Sequence, residues 1–329
     1  MKLHDFDYSL PKELIAQVPV EPRSSSRLLV LNGSKIEHGK FYELADYLRE
    51  GYVLVLNDSK VIPARIRGKK KNGGRIELLL VLELSERKWK CLVKGKVRSG
   101  TEIIFDDDLR GVITDAANGK FEIEFNASTE EILEKHGEPP TPPYIKRKAE
   151  RERYQTVYAR NPGSIAAPTA GLHFTKELLK EIESKGARIA YVTLHIGLGT
   201  FAPVKVENIA QHKPEPEYFE IDEKNAEIIN EGETVIAVGT TTLKALESAA
   251  DEEGRISATS GWSDLFIFPP YKFRSNTSAL VTNFHLPKST LLMLVCAYAG
   301  REKILNAYEL AIKEKYRFYS FGDAMFIMR

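Results

Sequence analysis

The sequence predicts an α/β domain with a mixed sheet, interrupted by an inserted small all-β, barrel-like domain. Three observations carry this. At both ends of the chain, apolar runs that close in polar or glycine-rich turns alternate with stretches of helical spacing, the grammar of α/β proteins. Between residue 61 and about residue 150 that periodicity gives way to short β runs parted by Gly, Asn and Asp turns. The chain of 329 residues, 43% hydrophobic and 28% charged, is long enough for two such bodies. The expected domains are 1–60 with 151–329, and 61–150.

The elements follow in order. After an irregular leader, Leu28 to Leu31 reads as a short strand. Phe41, Leu44, Ala45 and Leu48 recur at helical spacing, so 41–50 is expected to be a helix, with Gly51 at its C′ position. Tyr52 to Leu56 is a buried strand that runs into Asn57-Asp58-Ser59. The runs VIPARI, RIELLLVLEL, KWKCLV, TEIIF, GVITD and KFEIEF are the strands of the insert, followed by a helical stretch, Thr129 to His136. A Pro-rich connector leads to a basic cluster with Lys146, Arg147, Arg151 and Arg153, which suits either a solvated helix start or phosphate contact. Residues 154–175 hold few large aliphatics and many Gly, Pro, Asn and Thr. They read as a long ordered loop that lines a site and delivers Thr175 as the N-cap of KELLKEIESKG.

The α/β grammar then returns. Arg188 to Leu194 is a strand that runs into HIGLGTF. A helix at 224–231 precedes the strand Thr234 to Val238, the turn Gly239-Thr240-Thr241-Thr242 and a helix LKALESA. Residues 255–273 read as loop and strand. Ala279 to Thr282 is a strand into NFHLP, followed by a buried helix, an amphipathic helix at 301–316 and a closing strand within 316–327.

Composition narrows the function classes. Lys and Arg number 47 against 46 Asp and Glu, a net charge of +1, so any basic face must be local. Cys91 and Cys296 are far apart in apolar runs, as buried free thiols in a reducing compartment are. With no CxxC and no His/Cys cluster, no metal site is expected. The leader MKLHDFDYSL has no apolar signal core, and the longest apolar run is shorter than the roughly 20 residues of a membrane span. A cytoplasmic protein is expected.

Three strand ends, HIGLGTF, GTTTLK and NFHLPKST, each close in a polar or glycine-rich turn. Gly239 to Thr242 suits an anion cradle at a helix start, or an ordinary threonine cap. His195-x-Gly-x-Gly is followed by Phe201 and Pro203, so it is not the dinucleotide fingerprint. GxxxxGK[ST], HExxH and GxSxG are absent as well. His173, His195 and His285 lie in Gly/Pro-marked turns, where imidazole can transfer protons near neutral pH. Asp58, Glu217 and Asp323 are loop carboxylates, and Asp323 also fits plain Gly-Asp turn chemistry. The residues alone point to a cytoplasmic α/β enzyme with an all-β insert and an anionic or nucleotide-like ligand.

Seven stretches at these residues carry a resemblance: LIAQVPVEPRSSSRLL, LNDSKVIPARI, YQTVYARNPGSIAAPTAGLHFT, LHIGLGTFAPV, GTTTLKALES, TNFHLPKSTLLMLVCAYAG and YRFYSFGDAMFI. In this order they resemble the S-adenosylmethionine:tRNA ribosyltransferase-isomerase family of queuosine biosynthesis over almost the whole chain. One departure is that His212-Lys-Pro-Glu-Pro-Glu217 stands where the family usually has His-x-Met-His-x-Glu. The resemblance implies an α/β domain plus a β-barrel domain. It implies transfer and isomerisation of the ribosyl group of S-adenosylmethionine onto 7-aminomethyl-7-deazaguanine at the tRNA wobble position, with adenine and methionine released. S-adenosylmethionine is then a consumed substrate, not a cofactor. Expected catalytic residues are His173, His285, Asp58 and Asp323. Expected substrate contacts are Thr169, Gly171, His195, Gly197, Gly199, Thr200, Gly239, Thr240, Thr241, Thr242, Asn283 and Lys288. Lys60, Arg65, Lys146, Arg147 and Arg151 are expected to meet tRNA phosphates, and the protein to act as a monomer. The competing classes are an RNA-binding module and an S-adenosylmethionine methyltransferase. The first fits poorly with the neutral overall charge, and the second lacks its usual Gly-rich loop at LNDS.

Overall fold

The computed structural model describes residues 1–106, 108–117, 120–140, 151–197 and 204–329. The chain divides into two compact units, Met1–Lys60 with Pro143–Arg329, and Val61–Pro142.

In the first unit the leader segment passes into β1 (Arg27–Asn32), β2 (Lys35–Lys40), β3 (Tyr52–Asn57) and the short β4 (Ser59–Val61). In the second, β5 (Arg65–Lys70), β6 (Arg75–Ser85), β7 (Lys88–Lys94), β8 (Glu102–Ile104), β9 (Arg110–Ala117) and β10 (Lys120–Phe125) close into a barrel, with α1 (Thr129–His136) after it. Every barrel pairing is antiparallel, in the order β10-β7-β6-β5-β8-β9. Ile66, Leu78, Leu80, Cys91, Ile113 and Ile123 alternate inward and fill it.

The first unit resumes with β11 (Asn161–Ser164), α2 (Lys176–Ser184), β12 (Arg188–Leu194), β13 (Glu217–Ile221), α3 (Glu223–Asn230), β14 (Thr234–Val238) and α4 (Thr240–Ala249). It ends with β15 (Thr259–Ser263), β16 (Thr277–Asn283), α5 (Thr290–Ala299), α6 (Arg301–Lys313) and β17 (Ala324–Met328). Its nine-stranded sheet runs β15-β13-β12-β3-β14-β16-β17-β1-β2. The central four, β12, β3, β14 and β16, are mutually parallel, while β13, β15, β17 and β2 join antiparallel neighbours. The expected α/β domain with a mixed sheet and the barrel-like insert are both present.

The sheet is covered on both faces, which is why its central strands are unbroken apolar runs. Val53 and Val55 of β3 join one core cluster with α4, α5 and α6, whereas Leu54 and Leu56 join the other with Phe41, Phe174 and α2. Thr175 caps α2, its Oγ1 accepting from the Leu178 N–H at 3.2 Å. The expected helix over 41–50 is instead a 3₁₀ helix, Phe41–Tyr47. Leu48 is already extended and Gly51 turns at φ +85° into β3, so there is no room for a longer α-helix. The closing strand is confined to 324–328. The preceding turn holds Tyr319 at φ +75°.

Candidate active site

Parallel pairing turns the carboxyl ends of β12, β3, β14 and β16 toward one edge of the sheet, and β3 and β14 flank the point where chain order reverses. Such edges leave a crevice for ligands. A cleft with about 480 Å³ of empty space lies there. Thr169 and Ala170 line it from the long loop, Ile196 from beyond β12, Gly239 to Thr241 from the start of α4, Thr282 to His285 from the end of β16, and Tyr319 from the turn before β17. The three strand ends singled out in the sequence, and the loop before Thr175, thus meet at one place.

Gly239 sits at φ +97°, a conformation that favours glycine. No side chain caps α4, so its first-turn N–H groups open toward the cleft with the helix dipole behind them. Thr240 and Thr241 line that opening. Thr242 does not: it is fully buried, and its Oγ1 donates to the Val238 carbonyl at 2.6 Å.

Asn57, which sequence reasoning missed, holds this corner. Its Nδ2 donates to the Leu194 carbonyl at 3.0 Å and to Thr241 Oγ1 at 3.2 Å, while its Oδ1 accepts from the Leu194 and Ser59 N–H groups. The only available signal was an amide closing an apolar strand.

His285 is a cleft residue. The Tyr8 hydroxyl donates to its carbonyl, its N–H donates to the Tyr308 hydroxyl at 3.0 Å, and its Nε2 lies 2.8 Å from Thr282 Oγ1. Burial lowers its pKa to about 3, so the ring is neutral at physiological pH. His173 lies behind the lining. Asn283 Nδ2 donates to the Tyr319 carbonyl, which leaves Oδ1 facing His173 Nε2 at 3.3 Å. Nε2 must therefore carry the proton, and Nδ1 accepts from Ser26 Oγ at 2.7 Å. The ring stacks on Phe41, and burial, with help from Arg317 and Arg23, lowers its pKa to about 4.

The two expected catalytic carboxylates are fully engaged elsewhere and do not line the cleft. Asp58 accepts from Thr193 Oγ1 at 2.7 Å, from Asn161 Nδ2 and from the Arg160 guanidinium at 2.8 Å. Asp323 accepts from the Arg27 N–H at 2.9 Å and the Arg317 N–H at 2.7 Å, tying β1 to the turn before β17.

Gly171 is buried against Tyr158, whose hydroxyl would lie 2.0 Å from any β-carbon there, and it does not line the cleft. His195 stacks on Tyr218, and its Nδ1 is buried with no hydrogen-bond partner among the described residues. Burial lowers its pKa. Lys288 pairs with Asp7 at 2.7 Å, outside the lining. Lys60 is exposed, and Arg65 lies 3.8 Å from Glu77. Gly199, Thr200, Lys146, Arg147 and the side chain of Arg151 lie outside the described residues.

A second hollow, with about 520 Å³ of empty space, shares Thr240, Thr241 and Leu291 with the cleft. A buried pair lies on its wall: Lys244 Nζ is 3.2 Å from Glu217 Oε2, and Glu217 Oε1 accepts from the Gly197 N–H at 3.0 Å. Lys244 was not legible as a site residue, because it falls on an ordinary helical repeat. Among the described residues, no group of three or more His, Cys, Asp or Glu is placed to hold a metal ion. No helix among them is long and apolar enough to cross a membrane.

Comparison with known proteins extends over the whole chain. The profile of the family described as "Queuosine biosynthesis protein" matches residues 3–327. A relative from Thermosipho melanesiensis, named S-adenosylmethionine:tRNA ribosyltransferase-isomerase, is 54% identical across 99% of this chain and the whole of its own. One from Carboxydothermus hydrogenoformans with the same name is 52% identical across both full lengths. A crystal structure titled S-adenosylmethionine tRNA ribosyltransferase, from Thermotoga maritima, is 40% identical with a TM-score of 0.58. It covers 98% of this chain and all of that one.

Proposed function

The chain belongs to the queuosine biosynthesis protein family, and we infer that it has the activity its relatives are named for, that of an S-adenosylmethionine:tRNA ribosyltransferase-isomerase. It moves the ribosyl part of S-adenosylmethionine onto tRNA and isomerises it. The acceptor is the aminomethyl group of 7-aminomethyl-7-deazaguanine at the wobble position, the product is epoxyqueuosine, and adenine and methionine leave. Our reading places this chemistry in the cleft of the first unit. The observation that supports it is the convergence of the α4 N-terminus, His285, Asn283 and Tyr319 on one crevice at the carboxyl ends of parallel strands.

The roles follow from the chemistry required. Removal of a proton from C5′ beside the sulfonium gives an ylide, which eliminates adenine. The amine then attacks C1′, and closure of the epoxide expels methionine. A neutral ring can accept a proton, and burial keeps His285 neutral. The same burial makes the protonated ring a strong acid, suited to pass its proton to departing adenine. The open N–H groups of α4 take the methionine carboxylate, as helix starts take anions. His173 acts through Asn283 as a positioning residue. Asp58 and Asp323 position the strand ends rather than touching substrate. The protein acts as a monomer in the cytoplasm.

The test is product release. The protein is incubated with S-adenosylmethionine and a tRNA anticodon stem-loop carrying the deazaguanine amine. RNA-dependent release of adenine and methionine, with a matching mass gain on the RNA, is expected. His285→Gln should lower kcat by about 10²- to 10⁴-fold, the range for loss of a general acid or base, and leave S-adenosylmethionine binding nearly intact. S-adenosylhomocysteine in place of adenine would overturn the reaction, and full activity of the variant would remove His285 from the chemistry.

A further inference from the structure

We propose that one end of the barrel, made by the β5–β6 turn and the exit of β7, is a surface that grips the phosphate backbone of the RNA substrate. This rests on the reaction inferred above and names a contact surface for its macromolecular partner. The stretch 67–75 reads RGKKKNGGR and the stretch 94–98 reads KGKVR, with five cations in the first, three in the second and no carboxylate in either.

The fold makes one surface of them. Register puts Lys69 opposite Arg75 across β5 and β6, and Lys94 beside Glu77 across β6 and β7. The Lys70 ammonium donates to the Lys96 carbonyl at 3.0 Å, and a β-carbon on Gly95 would lie 3.2 Å from the Arg75 carbonyl. Neutralisation is partial. Glu77 and Glu138 take the charge of Arg67, and Glu102 takes that of Lys71. Lys69, Arg75, Lys94, Lys96 and Arg98 are exposed, and none has an ion-pair partner among the described residues.

Like charges facing each other across a strand pair destabilise it, so Lys69 opposite Arg75 does nothing for folding. A net charge of +1 shows that the chain has no general excess of cations; here they are gathered. A polyanion relieves the repulsion and gains by releasing its own counterions. The side chains are ammonium and guanidinium groups on open strands and a glycine turn, with no aromatic platform for bases. They therefore suit phosphate contact, which sets position without reading sequence.

The experiment measures affinity for an unmodified tRNA transcript at several salt concentrations. It compares wild type, the variant Lys69→Ala, Arg75→Ala, Lys94→Ala, Lys96→Ala, and a control with equal charge loss on the first unit, Lys12→Ala, Lys176→Ala, Lys180→Ala, Lys303→Ala. The barrel variant should lower the slope of log K against log salt by about 3 and weaken binding by roughly 100-fold near 0.1 M salt. Its KM for the reactive tRNA should rise in parallel, with kcat at saturating RNA and KM for S-adenosylmethionine unchanged. A misfolded variant would lose kcat as well. The charge-keeping set Lys69→Arg, Lys94→Arg, Lys96→Arg should bind as wild type does. A wild-type slope in the barrel variant, or an equal loss in the control, overturns the proposal. If wild type releases no adenine while the barrel variant still loses RNA affinity, the surface stands and the inferred reaction falls.

Discussion

His173 and His285 look alike in the sequence and do different work in the structure. Each is a buried histidine, His173 at the end of a 3₁₀ helix, Thr169–His173, and His285 in the loop after β16. His285 faces the cleft, whereas His173 has both ring nitrogens engaged, by Ser26 and Asn283. Burial, not the hydrogen bonds, holds the folded pKa near 4 against 6.5 for the free side chain. The neutral ring is favoured by folding, so this stabilisation is complete above pH 6.5 and is lost as pH falls from there toward 4. A shift of this size corresponds to about 3 kcal/mol. Urea unfolding of wild type should therefore lose stability more steeply between pH 6.5 and 4 than that of His173→Gln. Parallel curves would refute the account. The chain made both histidines visible, but that His173 is turned into a hydrogen-bonded network behind the cleft depends on Asn283, which is 110 residues away from it in sequence.

At the scale of elements, the start of α4 is the feature to test. Gly239 at φ +97° turns β14 into the helix without a side-chain cap. A β-carbon there would meet Thr241 Oγ1 and the Ala170 β-carbon at 3.6 and 3.7 Å, ordinary contact distances, so the cost of Gly239→Ala is conformational. With ψ at 150° the residue lies in a region essentially reserved for glycine, so the cost should amount to about 1–3 kcal/mol, relieved in part by rotating the first turn. KM for S-adenosylmethionine should then rise by roughly tenfold, as a loss of about 1.4 kcal/mol in binding dictates. Gly33, at φ +60° in the open turn between β1 and β2, is the control. Gly33→Ala should also carry positive-φ strain and leave KM alone. Equal KM values for the two variants would separate the α4 turn from ligand binding. The turn GTTT was readable as a cradle or a cap. That it opens into a crevice depends on β16 and the loop at Thr169 lying beside it.

At the scale of the whole molecule, the cleft and the cation cluster belong to different units. The cleft belongs to Met1–Lys60 with Pro143–Arg329, and the cluster of cations at the β5–β6 turn and the exit of β7 belongs to Val61–Pro142. The two substrates should therefore respond differently to salt. Raising salt from 50 to 200 mM should weaken tRNA binding by orders of magnitude while changing S-adenosylmethionine affinity by less than about threefold, because only the polyanion releases a counterion atmosphere. Calorimetric titration with each ligand checks this, and equal salt sensitivity would contradict it.

Local pattern was enough to find the covered strands, the capped helix at Thr175, the β insert and the polar strand ends at 195–197, 239 and 283–287, because apolar period, glycine and capping residues act over a few residues. It was not enough for the edge strands. Lys35–Lys40 is polar and half-exposed, and Glu217–Ile221 has meaning only beside β12 and β15. Nor could it sort the acids. Asp58 and Asp323 are ordinary turn carboxylates until Thr193, Arg160 and Arg27 close on them from distant parts of the chain, with Arg317 added from the turn before β17. Hydrogen-bond partners and burial are set by long-range packing, and these determine whether a polar side chain holds the fold together or faces a ligand.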